Sequence, residues 1–216
     1  MSQAEADTCF TTVHCEAHVT SSDNSPKKAD VYYIKSPDQR ELLASTRLQP
    51  IGDLLSAKGP MSVKEIAAAL GQRPSALYHH IKKAVKAGLI VETGSRTINR
   101  RKEVLYDTPA VKMRFGFSVA DKKLKPLWRK IQTAHSRQAD RDFIGALDNS
   151  KIIDDGPQRN LRTFRLVGAP DPVALSKINQ KIEEISALMW ESAGQDNPLI
   201  AITCVVAPMP PKSSLD

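Results

Sequence analysis

The run Pro74-Ser-Ala-Leu-Tyr-His-His-Ile-Lys-Lys-Ala-Val-Lys86 separates into two chemistries when it is wound at the helical period. Leu77, Ile81, Ala84 and Val85 share one face, and Ser75, Ala76, Tyr78, His79, Lys82, Lys83 and Lys86 share the other. The polar face carries hydroxyl, phenol and imidazole groups near the helix N-terminus and ammonium groups further along. Such an order suits double-stranded DNA, because residues near the start of a helix reach base edges in a major groove about 12 Å wide while lysines beyond them meet phosphates. Gln72 and Arg73, just before the helix, can add a base or phosphate contact, and a second basic group, Arg96, Arg100, Arg101 and Lys102, follows it.

Charge along the chain singles out the same stretch. Residues 1–39 hold 3 basic against 6 acidic side chains, residues 40–112 hold 13 against 6, and residues 113–216 hold 15 against 12. Within the middle part, residues 72–102 carry eight basic groups and the single acid Glu92. A solvated surface explains a basic excess alone. Its coincidence with a patterned helix points instead to phosphate neutralisation, which releases condensed counterions.

The elements needed to position that helix are written in capping signals. Ser36 caps and Pro37 opens a short helix through Leu42 and Leu43, after the β-prone run Val31–Ile34. Leu48, Ile51, Leu54 and Leu55 form a second helix that starts at Leu48 or Gln49 and ends before Gly59-Pro60. Ser62 and Glu65 make a capping box for a third helix, with Ile66, Ala67 and Leu70 as its buried stripe and Gly71 as its stop. A turn then leads to Pro74 at the first position of the fourth helix. Two helices joined by a short glycine turn make a helix-turn-helix. Leu89–Val91 and Val104–Tyr106 are predicted as the two strands of a wing, separated by a polar loop from Gly94 to Lys102.

Beyond Pro109 the pattern changes. Residues 119–147 read as one long helix, and Leu124, Leu127, Trp128 and Ile131 form an apolar stripe expected to pair two copies as a homodimer. Residues 161–167 and 199–206 read as strands flanking a helix over 172–192, a small β-α-β module whose sheet partner comes from elsewhere in the chain or from a second subunit. The expected architecture is α+β, mainly α: a tail over 1–30, a winged helix-turn-helix over 31–108, a dimerisation and effector-receiving module over 109–207, and a tail over 208–216.

Ser45-Thr-Arg-Leu48, Met61-Ser-Val-Lys-Glu-Ile-Ala-Ala-Ala-Leu-Gly71, Ser75–Lys82 and Ala87-Gly-Leu-Ile90 together resemble the successive landmarks of ArsR-type winged-helix regulators. The resemblance covers about residues 31–108 and implies a homodimeric repressor on a pseudo-palindromic operator. The C-terminal strand, helix and strand also resemble the extension of non-metal members. Metal-sensing members carry a cysteine pair in the helix before the turn, where this chain has Val63–Leu70 without a ligand pair, and His135 stands alone on the long helix. No metal or other cofactor is therefore expected.

Cys9, His14, Cys15 and His18 are zinc-ligand types, but their spacing matches no common finger, and they are read as structural or accidental placement. Cys204 in an apolar run reads as a small hydrophobe. No phosphate loop, nucleophile elbow or zinc-protease motif occurs, so no enzyme is expected. With no run of eighteen apolar residues and no leader, the expectation is a cytoplasmic protein away from membranes. The competing reading is a winged-helix protein-docking module, against which the uniformly basic 72–102 stretch weighs. A small-molecule effector would be received by the second module.

Overall fold

The computed structural model describes residues 28–209. In chain order the elements are β1 (Ala29–Ile34), α1 (Pro37–Leu43), α2 (Gln49–Lys58), β2 (Met61–Ser62), α3 (Val63–Ala69), α4 (Pro74–Lys86), β3 (Val91–Ile98), β4 (Arg101–Asp107), β5 (Ala110–Phe115), α5 (Lys125–Leu147) and α6 (Pro172–Glu191).

The capping signals act where they stand. Ser62 Oγ accepts from Glu65 N, and Glu65 Oε2 accepts from Ser62 N at 2.8 Å. Gly71 ends α3 with φ of 61°, and Gln72 N donates to Ala67 O at 2.8 Å, closing the turn that launches α4. Pro74 fixes the first turn of α4, and Gly88, with φ of 73°, lets the chain leave it for β3. Ile51, Leu55, Ile66, Leu77 and Ile81 are almost completely buried, so α2, α3 and α4 share one core. A three-stranded sheet ordered β2-β4-β3 lies beside that core.

Three expectations need correction here. The loop expected over 94–102 is mostly strand: β3 and β4 pair in register from Gly94↔Leu105 out to Ile98↔Arg101. Asn99 and Arg100, with φ of 49° and 61°, turn the hairpin in two residues, as a primed turn does. Order also begins before Val31, because Ala29 starts β1, which pairs in parallel with β5 from Ala29↔Ala110 to Ile34↔Phe115. Lys28 Nζ meets Asp107 at 2.8 Å beside this pairing, so part of the expected N-terminal tail is structured.

Gln39 ties the two-stranded sheet to the end of α4. Its Oε1 accepts from Lys35 N and Ser36 N, and its Nε2 donates to Tyr32 Oη at 2.7 Å and to Ala87 O at 2.8 Å. A buried amide with all these groups satisfied fixes the position of α4 relative to β1.

The third correction concerns the C-terminal part. The expected helix over 119–147 begins as α5 at Lys125, after a short 3₁₀ turn over Lys122–Leu124, because Pro126 belongs in a first turn. α5 packs against α1, and Ile131 and Ala134 are buried within the chain. Trp128 lies against Phe115 and Phe117, with ring centroids 5.1 and 5.0 Å away. The stripe expected to need a second copy is thus half-buried at Leu124, Leu127 and Trp128 and fully buried at Ile131 by the chain itself. α6 forms as expected, capped by Asp171, but residues 161–167 and 199–206 pair with no strand among the described residues. The β-α-β unit is not closed among the described residues, since apolar composition specifies that a segment will be buried without supplying its neighbour.

Asp53 of α2 has a carboxyl pushed up to about 6, first by desolvation and then by the carboxylate of Asp142 on α5. A carboxyl whose folded pKa is raised adds stability below its unfolded value of 3.8, and that stability is lost as pH rises through about 6. The full shift would correspond to about 3 kcal/mol, but the Asp53 residue remains exposed, and screening reduces the figure to about 1 kcal/mol. Asp53→Asn should therefore be about 1 kcal/mol more stable than the parent at pH 7 and equal to it below pH 4. Urea melts of both proteins across that range check the difference.

Candidate nucleic-acid interface

α4 is amphipathic in the sense the sequence demands. Leu77, Ile81 and Ala84 are buried, whereas Ser75, Ala76, Tyr78, His79, Lys82, Lys83 and Lys86 are exposed. Tyr78, a large ring that would ordinarily seek cover, is 53% exposed. Arg73 is exposed at the helix start and Gln72 is half-buried in the turn. Lys83 and Lys86 in the last turn also oppose the helix dipole, so their charge has a local role besides any contact they make.

The wing places Arg100, Arg101 and Lys102 at its exposed tip. Arg96 behaves differently from its neighbours. Its guanidinium lies 2.6 Å from Glu65 and 3.5 Å from Glu103, and Glu103 also receives Lys64 Nζ at 2.6 Å. The Glu65 hydrogen bond, outweighing burial, holds Arg96 firmly in its charged form. Burial pushes the Glu65 carboxyl up, yet the hydrogen bonds from Arg96 and Ser62 outweigh it and keep it below the usual carboxylate range. Lys64 does the same to Glu103, assisted by Arg96. Glu65 therefore caps α3 and anchors the root of the wing at once. Arg96, expected among the phosphate-binding residues, has its charge matched inside the protein and acts in this structure as the wing's fastening.

Two residues near this surface escaped the sequence reading. His80 is half-buried on α4, and burial, then the charges of His79, Arg47 and Lys83, hold its imidazole below the ordinary range. Arg47, exposed just before α2, is brought near α4 by the packing of the two helices. Arg47 belongs to the Ser45-Thr-Arg-Leu48 landmark, but nothing in that short run marks it as a neighbour of α4; folding gives it this position.

The zinc-type residues Cys9, His14, Cys15 and His18 lie outside the described residues. Between the β1–β5 sheet and α6 there is an open groove of about 400 Å³, lined by Tyr33, Met113, Arg114, Glu183 and Trp190 among others. Arg114 donates to Glu183 at 3.2 Å and stacks over Trp190 at 5.7 Å. No described helix is long and apolar enough to cross a membrane.

No curated protein matches the chain. Residues 38–93 match the model of a family described as a helix-turn-helix domain, about a quarter of the chain, from α1 into β3. That span includes α3, the Gly71 turn and the whole of α4, so the chain carries a helix-turn-helix domain of the kind found in DNA-binding regulators.

Proposed function

We propose that this protein is a homodimeric transcription regulator of ArsR type, without the metal-sensing ligand pair, that represses by reading a pseudo-palindromic operator. The observation that carries the reading is the exposed face of α4. Ser75, Ala76, Tyr78 and His79 stand at the N-terminal end of a helix whose other side is locked into the core. Recognition helices enter the major groove by that end. The exposed tip of the wing, Arg100 to Lys102, supplies cations for backbone phosphates, and Lys82 and Lys83 supply more. The groove between the β1–β5 sheet and α6 is where a small-molecule effector would enter.

Replacing Arg100 and Arg101 together by alanine should weaken binding to all duplexes alike. It should also flatten the log-log dependence of affinity on salt by roughly 0.9 for each phosphate that the variant no longer neutralises. Isotherms on an operator and a scrambled duplex at several salt concentrations make the check. An unchanged slope would remove the wing tip from the interface.

A further inference from the structure

α6 has no buried residue. Val173, Ile178, Ile185 and Leu188 are between 43% and 66% exposed; Trp190 and Glu183 meet Lys112 and Arg114 of β5, and Ile182 and Ser186 beside them are half-buried. The flanking segments are barer still. Leu199-Ile-Ala-Ile-Thr-Cys-Val-Val206 is the composition of a strand buried on both faces, yet every residue of it is exposed. Phe164 and Leu166 in the other segment are 64% and 84% exposed. Neither 161–167 nor 199–206 makes a backbone hydrogen bond to any described residue. Buried strands do not leave that ladder empty.

The size of the deficit indicates the occupant. The chain exposes 17460 Å². Crediting residues 1–27 and 210–216 with roughly 5,400 Å², the most that any chain can expose, leaves about 12,000 Å² where a compact protein of the remaining mass exposes about 8,700 Å². The surplus of about 3,000 Å² per copy, about 6,000 Å² for a pair, is more than the largest transient contacts bury and reaches the upper end of obligate homodimers, whose interfaces run from about 2,000 to above 5,000 Å² over both partners. Charge agrees with self-association. Residues 161–207 hold four basic and five acidic side chains, so two such surfaces do not repel each other, and a nucleic acid gains nothing there.

We infer that the C-terminal unit is completed by a second copy of this chain. Segments 161–167 and 199–206 of the two copies form one intermolecular sheet, and the exposed apolar face of α6 is buried against it. The inference deepens the self-association part of the proposed function and moves the interface from Leu124, Leu127, Trp128 and Ile131 to residues 161–206.

The test uses the full chain in analytical ultracentrifugation, with hydrogen exchange on the same samples. The parent should sediment as a dimer at micromolar concentration, with amides 161–167 and 199–206 protected. Phe164→Asp and Ile202→Asp should each sediment as monomers. In a lone chain both positions face water, so the helical circular dichroism should not change. A parent that is monomeric at every concentration overturns the inference, as does a dimer with both segments exchanging freely, or one that survives both substitutions. Duplex binding is read separately: a parent dimer with both segments protected that binds no DNA supports this interface and removes the regulator reading, whereas a monomer that binds DNA overturns this interface and the homodimer part of the proposed function and leaves DNA binding standing.

Discussion

Ile81→Ala should destabilise the helix-turn-helix by about 2–5 kcal/mol, whereas Lys82→Ala, one residue further on, should stay within about 0.5 kcal/mol. Ile81 is 2% exposed in the core shared by α2, α3 and α4, and Lys82 points to solvent. Truncating Ile81 removes apolar area and leaves a cavity that close-packed neighbours such as Leu77 and Ile66 cannot fill without moving. The better helix propensity of alanine returns only a few tenths of a kcal/mol. Out of a usual total of about 5–15 kcal/mol, such a loss would shift the denaturant midpoint markedly at unchanged slope. DNA binding should separate the same pair in the opposite sense, because Lys82→Ala keeps the fold and loses a cation from the exposed face. Equal midpoints for the two variants would mean that α4 is not seated on its Ile81 face.

The residues that were legible in sequence are those whose signals are local. Ser62 and Glu65 are three residues apart and bond each other; Gly71 and Pro74 set the ends of adjoining helices by their own backbone preferences. What depended on distant partners was not legible. Val111, Met113 and Phe115 alternate with Lys112 and Arg114, a strand signal that could have been read, but its partner β1 lies some eighty residues earlier. Missing β5 also hid Phe115, whose ring packs edge-on against Trp128 of the α5 stripe. The wing was shortened because Arg96 to Lys102 has loop-like composition. Its strand character lies in cross-strand pairing, where Arg96 stands opposite Glu103 and the two charges compensate. Segments 161–167 and 199–206 are the reverse case. Their strand composition was plain, and no described residue pairs with them.

The central claim, that α4 reads base edges, is tested most directly by Tyr78→Ala and His79→Ala on an operator and on a scrambled duplex of equal length. Both side chains are exposed on the N-terminal half of α4, and neither is needed for the core beneath. Removing a side chain that bonds a base edge costs about 1–3 kcal/mol on the matched sequence, a fall in affinity of about 5- to 150-fold. Phosphate contacts supply most binding to a scrambled duplex, and neither substitution removes a fixed cation from Lys82, Lys83 or the wing tip. Each variant should therefore lose affinity for the operator, with a change in the base pair preferred at the contacted position, while affinity for the scrambled duplex barely moves. Equal losses on both duplexes, or none on the operator, would contradict base reading by α4.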